Sequence, residues 1–209
     1  MAPRTPKRLS PQDRRAEILT AAISLLGRSG LNGFSLEAAA REAKVALSLP
    51  RHYFGSYRGL LKAATADLLY QVEALMLDPE LGLDLESRFA AYLDLLAQNP
   101  WGHHVWMRCE ELHPEIATIV KRARRRMSEG MYNKPWRSLS KREQIDARGR
   151  IGYIEAIVSD WLQSPDVESK ELLGLILQAI DPPGRKRLVS AQPKIQSKVA
   201  PRRPKAAKR

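Results

Sequence analysis

The feature that most constrains the fold is a succession of helix-start signals, each followed by apolar residues at helical spacing. Capping residues, alone or with proline at the first helical position, occur at Ser10-Pro11, Ser35, Ser56 and Asn99-Pro100. Ser140 and Glu143 have the spacing of a capping box. After each signal the apolar residues recur every three or four positions, and no segment alternates with the period of two that marks a strand. The pattern predicts an all-α fold.

The breakers between these signals divide the chain into nine expected helices. Proline is expected to open the segments at 114 and 165 as well. We expect helices over about 11–29, 35–43, 47–54, 56–78, 85–98, 99–112, 114–132, 140–163 and 164–181.

The charge of the chain is concentrated in its two tails. The net charge is +12 over 209 residues, yet residues 184–209 hold ten Lys or Arg and no acid, and residues 1–10 hold three more. Residues 11–183 carry 22 basic and 23 acidic side chains, so a basic overall balance does not by itself indicate a nucleic-acid surface on the fold. We expect basic disordered segments at 1–11 and 184–209.

Composition also bounds the class of protein. The length of 209 residues and the hydrophobic content of 44% allow one ordinary core, or a small module and a medium domain. No run of 18 apolar residues is present. The N-terminus lacks the apolar stretch of a secretory signal, and the single cysteine, Cys109, excludes an internal disulfide. We therefore expect a cytoplasmic protein, associated with the nucleoid if it binds DNA.

Residues 14–61 carry the most informative pattern. One helix precedes two short helices joined by a brief turn, and a long helix follows, which is the arrangement of a helix-turn-helix. The outer side of the second short helix would present Leu47, Ser48, Arg51 and His52. Arg is suited to a bidentate contact with guanine, whereas tyrosine and arginine at the helix ends can hold phosphates. The predicted DNA-binding residues are Ser35, Lys44, Ala46, Leu47, Ser48, Arg51, His52, Tyr53, Tyr57 and Arg58.

These residues together resemble the DNA-binding domain of the TetR family of transcriptional regulators. The resemblance covers about 12–72 and rests on matching residue types at matching spacings. The matching stretches are Arg15-Ala-Glu-Ile-Leu-Thr-Ala-Ala22, Gly30, Phe34-Ser-Leu-Glu-Ala-Ala-Ala40, Val45, His52-Tyr-Phe54 and Leu60-Leu61. The resemblance implies a helix-turn-helix domain at 12–72, with its motif at about 35–54, and a helical ligand-binding and dimerisation domain at 73–183. It also implies a homodimeric repressor that binds a palindromic operator and is released by a small-molecule effector.

The chain departs from the family pattern at five positions. Lys44 stands at the usual turn glycine, and Ala46 stands at the usual capping serine or threonine, a loss worth about 1 kcal/mol. Pro50 and Arg51 replace an apolar residue and a tyrosine, and Tyr57 replaces a lysine that commonly contacts phosphate. The operator sequence therefore does not follow from the family.

Two further groups of residues are assigned to the second domain. Aromatic and thioether side chains in mid-chain suit an apolar ligand cavity with a few polar groups, although most of the weight comes from the resemblance. The expected lining residues are Trp101, His104, Met107, Glu110, Met127, Met131 and Trp136. The last two helices carry more apolar surface than one stripe needs, which favours burial against a second copy. The expected interface residues are Ile151, Ile154, Val158, Trp161, Leu173, Ile176, Leu177 and Ile180.

Other chemistries are less well supported. His103, His104, Cys109 and His113 are mixed ligand types with ordinary packing roles as the better explanation, and we expect no metal and no cofactor. No nucleophile, base and orienting acid occur at a recognisable spacing, so an enzyme is not expected. The alternative function is a general DNA-coating protein driven by its basic tails. The run Lys121–Arg126 is either a solvated helix face, the more common case, or a second DNA contact.

Overall fold

The computed structural model describes residues 9–164 and 166–180, and this part of the chain contains ten α-helices and no β-strand. The all-α prediction is therefore confirmed. The helices are α1 (Pro11–Ser29), α2 (Leu36–Glu42), α3 (Ser48–Phe54), α4 (Tyr57–Leu77), α5 (Leu85–Gln98), α6 (Pro100–Met107), α7 (Cys109–Leu112), α8 (Pro114–Tyr132), α9 (Lys141–Gln163) and α10 (Ser169–Ile180). Short 3₁₀ turns lie at Pro79–Leu81 and Trp136–Ser138.

The serine caps act as the sequence predicts. The hydroxyl oxygens of Ser10, Ser35 and Ser56 each accept a hydrogen bond from the backbone N–H three residues later, at 3.0–3.1 Å. Ser140 forms the full capping box with Glu143, in which the carboxylate accepts the Ser140 backbone N–H at 2.8 Å. These bonds satisfy N–H groups that a helix start leaves without an intrahelical acceptor.

Two predicted helices differ from expectation. The segment expected at 99–112 is divided at Arg108, where the backbone leaves helical angles, into α6 and α7. The last helix begins at Ser169 rather than at Pro165, which itself lies outside the described residues. The Trp161 indole N–H donates to the Val167 carbonyl at 3.0 Å and holds the intervening turn against the end of α9.

The buried side chains form two clusters. The first core cluster joins α1, α2, α4, α6 and α8 and includes Ala22, Leu26, Leu60, Val105 and Val120. The second core cluster joins α5, α9 and α10 and is formed by Phe89, Leu93, Leu96, Ile154, Val158, Leu172, Leu173 and Ile176. The helix-turn-helix helices thus share a continuous apolar core with the middle of the chain, through α4 and α6.

The predicted boundary at 72/73 falls inside α4, which runs without interruption from Tyr57 to Leu77. The N-terminal arm predicted at 1–11 lies mostly outside the described residues, and the tail predicted at 184–209 lies wholly outside them. No helix in the described ranges is both long and apolar enough to cross a lipid bilayer.

Candidate functional site

The helix-turn-helix is built by α2 and α3, with α1 and α4 bracing them. Pro50 of α3 is fully buried, and Phe54 packs against the first core cluster while the Arg15 guanidinium lies 4.7 Å from its ring centroid. These contacts hold the inner side of α3 against the domain. The outer side is left to solvent.

The exposed side of α3 carries the predicted base-reading residues. Leu47 is 60% exposed, and Ser48, Arg51 and His52 are also exposed. At 100° per residue these four positions lie on one side of the helix, opposite Leu49, Pro50 and Tyr53. The Arg51 guanidinium forms no hydrogen bond or ion pair with any other described residue, although the Glu37 carboxylate of α2 lies near enough to interact with its charge.

The turn between the two helices has the conformation that the family's glycine would supply. Lys44 has φ of +53°, in the left-handed region, and its side chain is exposed. A non-glycine residue there is strained by about 1–2 kcal/mol. Its backbone N–H still donates to the Arg41 carbonyl at 3.1 Å, and the ammonium group is available beside α3.

The start of α3 lacks a side-chain cap, as the sequence predicts. Leu47 already has helical angles, so Ala46 occupies the capping position, and no side-chain oxygen accepts a bond there. The Leu49 N–H donates instead to the Ala46 carbonyl at 3.0 Å. Pro50 lies in the first turn, where its missing N–H costs little.

Tyr57 and Arg58 lie at the start of α4, directly after the turn at Gly55. The Tyr57 ring is tilted against Phe34 at a centroid distance of 5.3 Å, and partial burial raises the pKa of its hydroxyl. Tyr57 therefore remains a neutral hydrogen-bond donor at physiological pH. Of the other predicted DNA-binding residues, Lys44, Ala46 and Arg58 are exposed, whereas Ser35 and Tyr53 are partly buried.

A cavity of about 510 Å³ lies where the two core clusters meet. Its wall takes Leu68, Leu69 and Trp106 from the first cluster and Phe89 and Leu96 from the second. The volume and the mainly apolar wall are those of a small-molecule site. The cavity separates the core of the helix-turn-helix from that of the last two helices.

The predicted cavity residues divide into two groups. Met127 and Met131 line the cavity. Trp101 is buried in the first core cluster, whereas His104, Met107 and Glu110 are exposed, and none of these four lines the cavity. Trp136 is partly buried and also lies outside the cavity wall; the guanidinium groups of Arg125 and Arg148 are 5.8 and 6.0 Å from its ring centroid.

The polar groups that do line the cavity were not predicted. They are Tyr92, His103, Trp106, Tyr132, Arg150 and Glu155. Within α6 the choice between His103 and His104 depends on which side of a short helix faces inward, which spacing alone leaves open. Glu155 could have been found, because it interrupts the apolar positions Ile151, Ile154 and Val158 of α9.

Desolvation sets the protonation of two of these groups. Burial lowers the pKa of His103, against an opposing effect of the Glu155 charge, so the neutral imidazole is favoured. Burial also raises the pKa of the Tyr92 hydroxyl, and the Glu155 charge adds to that shift. At physiological pH both side chains are neutral hydrogen-bonding groups.

The predicted dimer residues pack within the chain itself. Ile151, Ile154, Val158, Leu173 and Ile176 are buried. Trp161, Leu177 and Ile180 are partly buried against the second core cluster. The apolar side chains that α9 and α10 leave exposed are different ones: Ile145 at 58%, Tyr153 at 43% and Leu175 at 40%. The buried apolar side chains of α9 and α10 thus pack against each other and against α5 of the same chain.

The basic run of α8 is partly neutralised by the fold. Arg124 pairs with Glu155 at 2.8 Å, and Arg126 pairs with Glu73 at 2.7 Å. Lys121, Arg122 and Arg125 form no ion pair with another described residue. Nor do the described residues contain three His, Cys, Asp or Glu side chains placed to hold a metal ion.

The fold and its exposed helix define a class: a helix-turn-helix of the DNA-binding type, joined through a long helix to an all-helical domain with a cavity. No family model matches the chain. Its fold is that of a TetR-family transcriptional regulator from Streptomyces coelicolor, with a TM-score of 0.72 over 82% of this chain and 80% of that chain at 19% identity. The fold of the protein is TetR-like, which confirms the resemblance found in the sequence.

Two curated relatives share part of the sequence. The HTH-type transcriptional regulator BetI of Vibrio vulnificus is 36% identical over 67 residues, which are 32% of this chain and 34% of BetI. The HTH-type nicotine-responsive transcriptional repressor HdnoR of Paenarthrobacter nicotinovorans is 38% identical over 65 residues, 31% of this chain and 34% of HdnoR. The chain thus spans about a third of the length of these relatives.

Proposed function

We propose that the protein is a homodimeric, DNA-binding transcriptional repressor that a small-molecule effector releases from a palindromic operator. Residues 12–72 form its DNA-binding domain, residues 73–183 its ligand-binding and dimerisation domain, and it acts in the cytoplasm at the nucleoid. The observation that carries the proposal is the outer side of α3, where Ser48 and Arg51 are exposed and their side chains form no hydrogen bond with another described residue.

Base reading falls to α3 and phosphate binding to its neighbours. Arg51 is suited to guanine O6 and N7, and Ser48 to either class of base edge. Lys44, Tyr57 and Arg58 lie at the two ends of α3, where cationic and hydroxyl donors hold phosphates and fix the register of the helix in the groove. Leu47 offers an apolar contact for a thymine methyl group.

Dimerisation would use the sides of α9 and α10 that the fold leaves exposed. Ile145, Tyr153 and Leu175 lie there, and Gly149 and Gly152 leave space on the same helix. A two-fold axis through this surface repeats α3 in the partner, and half-sites one or more helical turns apart follow from that symmetry.

Effector release is supported by the position of α6. This helix contributes His103 and Trp106 to the cavity and packs against α1 and α4 of the DNA-binding domain. The Gln98 carbonyl just before it lies 3.4 Å from the place that a Cβ on Gly27 of α1 would occupy. An effector shifts the equilibrium only if it binds the conformation without DNA more tightly.

The test is selection of DNA from a random pool by the purified protein, followed by binding measurements on the selected site. We expect a palindrome, and Arg51→Ala should weaken binding to it by about 1–3 kcal/mol and relax one base preference, with little loss on random DNA. Arg58→Ala should weaken both DNAs alike, and Arg142→Ala, remote from α3 on α9, should weaken neither. Equal losses on both DNAs for Arg51→Ala would remove its base-reading role.

The second candidate function is general DNA coating. The observation in its favour is the ten Lys or Arg without an acid at 184–209. Such a segment binds any DNA by releasing counterions. If the selection yields no sequence preference and binding is competed equally by every DNA, this candidate replaces the repressor.

A further inference from the structure

The cavity between the core clusters has its free hydrogen-bonding groups concentrated at one end. His103 and Trp106 of α6, Tyr92 of α5 and Glu155 of α9 lie there, where Leu68 and Gly102 close the wall. Leu77, Leu85 and Met131 line the opposite part, at the far ends of α4 and α8 and the start of α5. The hydrogen-bonding groups with unused capacity therefore lie at one end, whereas Tyr132 and Arg150, the other polar groups in the wall, are already bonded to Asp146.

Only one of the two Glu155 carboxylate oxygens accepts hydrogen bonds from other described residues. Its Oε1 accepts from the Trp106 indole N–H at 2.5 Å and from Arg124 Nε at 2.8 Å. Its Oε2 has no hydrogen-bond partner among the described residues, although the side chain is only 15% exposed. Arg124 is not part of the cavity wall; it stacks on Trp106, 4.9 Å from the ring centroid.

His103 is the second unsatisfied group at this end. Its side chain is 95% buried, and its Nε2 lacks a hydrogen-bond partner within the described part of the chain. A buried ring nitrogen without a partner is costly and calls for an occupant that supplies one. The hydroxyl of Tyr92, neutral at physiological pH, adds a third group at the same end.

We propose that the cavity takes an elongated, mainly apolar ligand with a single amine head group. The protonated nitrogen donates to Glu155 Oε2 and to neutral His103 or Tyr92, and the apolar chain extends towards Leu77 and Met131. The cavity volume of about 510 Å³ is within the range of small-molecule sites. The inference rests on the proposed function only where it identifies this ligand with the effector.

A carboxylate head group does not fit the same cavity. At the polar end it would meet the free oxygen of Glu155, and two carboxylate oxygens are both acceptors with no proton to share between them. Arg124 offsets part of the Glu155 charge, so the mismatch lies mainly in this hydrogen bonding. Arg150, the cationic group in the wall, is already occupied: it donates to both carboxylate oxygens of Asp146 and to the carbonyl oxygens of Ala179 and Ile180 at the end of α10. The field of Arg150 is thus largely cancelled by its own partners.

The test is isothermal titration calorimetry at pH 7 on the full chain, with three probes of equal chain length: n-octylamine, 1-octanol and octanoate. A charge-assisted hydrogen bond to a buried carboxylate should make octylamine bind roughly ten- to a hundredfold more tightly than octanol, with octanoate weakest. Octanoate binding as tightly as octylamine, or binding of none of the three, overturns the proposal.

Two substitutions locate the effect. Glu155→Gln should remove the preference for octylamine over octanol. Glu73→Gln is the matched control, since Glu73 is 17% exposed and also pairs with an arginine of α8, but lies outside the cavity wall. A preference that survives Glu155→Gln contradicts the proposed head-group contact. If Glu155→Gln fails to fold, the order of the three probes' affinities for the natural protein still tests the proposal.

Binding is measured without DNA, so the two proposals fail separately. If octylamine binds in the expected order but leaves the complex with the selected operator intact, effector release by this ligand class is wrong and the ligand chemistry stands. If DNA selection fails while the probe order holds, only the repressor function is lost.

Discussion

The missing cap of α3 permits a sharp test of how this helix is held. We predict that Ala46→Thr stabilises the protein. Residue 46 precedes Leu47, the first residue with helical angles, and the Leu49 N–H lies three positions beyond it. The same spacing joins Ser35 to the N–H of Ala38 and Ser56 to that of Gly59, at 3.0 and 3.1 Å.

The expected gain follows from these neighbouring caps. A threonine hydroxyl at residue 46 would accept from the Leu49 N–H, which at present donates to the Ala46 carbonyl at 3.0 Å. Replacing alanine by a capping side chain is worth about 1 kcal/mol, within a range of about 0.5–2 kcal/mol. For a chain of this length that corresponds to a rise of about 2–4 °C in Tm.

Denaturant unfolding at fixed protein concentration measures this gain, and Ala46→Val is the control. Valine has the shape of threonine without the oxygen, so it reports the cost of β-branching alone. We expect threonine to exceed valine by about 1 kcal/mol, and Ser35→Ala to lose a similar amount. Equal stability of the threonine and valine variants would show that residue 46 does not cap α3, and the account of this departure from the family pattern would be wrong.

Three further predictions concern the cavity, the tail and the dimer. Because burial lowers the pKa of His103, the unfolded chain binds its proton at higher pH than the folded chain, so the free energy of unfolding should fall as pH drops below about 6.5. His103→Gln should lose less stability than the natural protein between pH 7 and 5, and parallel curves would refute this. Deleting 185–209 should flatten the dependence of DNA affinity on salt concentration and leave the selected sequence unchanged. If the slope of affinity against salt concentration is unaltered, the tail does not contribute to DNA binding. Tyr153→Asp should shift the sedimenting species from dimer to monomer with unchanged helix content, since Tyr153 is 43% exposed within one chain; a dimer that persists would place the interface elsewhere.

The helix-turn-helix could be predicted from the sequence because its determinants are local. Ser35 and Ser56 fix where α2 and α4 begin, and each cap is formed within three residues. The departures from the family pattern at Lys44 and Ala46 could also be recognised in the sequence, because the turn glycine and the capping hydroxyl of that pattern have fixed positions relative to α3. In the structure, Lys44 has left-handed backbone angles, and the start of α3 has no side-chain hydrogen-bond acceptor.

The cavity and the last two helices could not be predicted to the same depth, because helical spacing identifies a buried face but not the surface that covers it. Ile154 and Ile176 repeat at core spacing, and α5 of the same chain meets them. Likewise His103 and His104 are neighbours in a helix of eight residues, and only the packing of α6 against α4 and α9 turns one inward and the other to solvent.

The position of the cavity explains how a ligand could act on α3 from a distance. Its wall is shared by the first core cluster, which includes α1, α2 and α4, and by the second, which includes α9 and α10. A ligand there contacts both clusters at once, and closely packed cores move as units rather than deforming smoothly. In a dimer joined through α9 and α10 the second cluster is tied to the partner, so a change in the fit between the clusters alters the separation of the two α3 helices. The proposed amine site on α6 and α9 would lie across that junction, where a head-group contact made in only one arrangement would favour that arrangement.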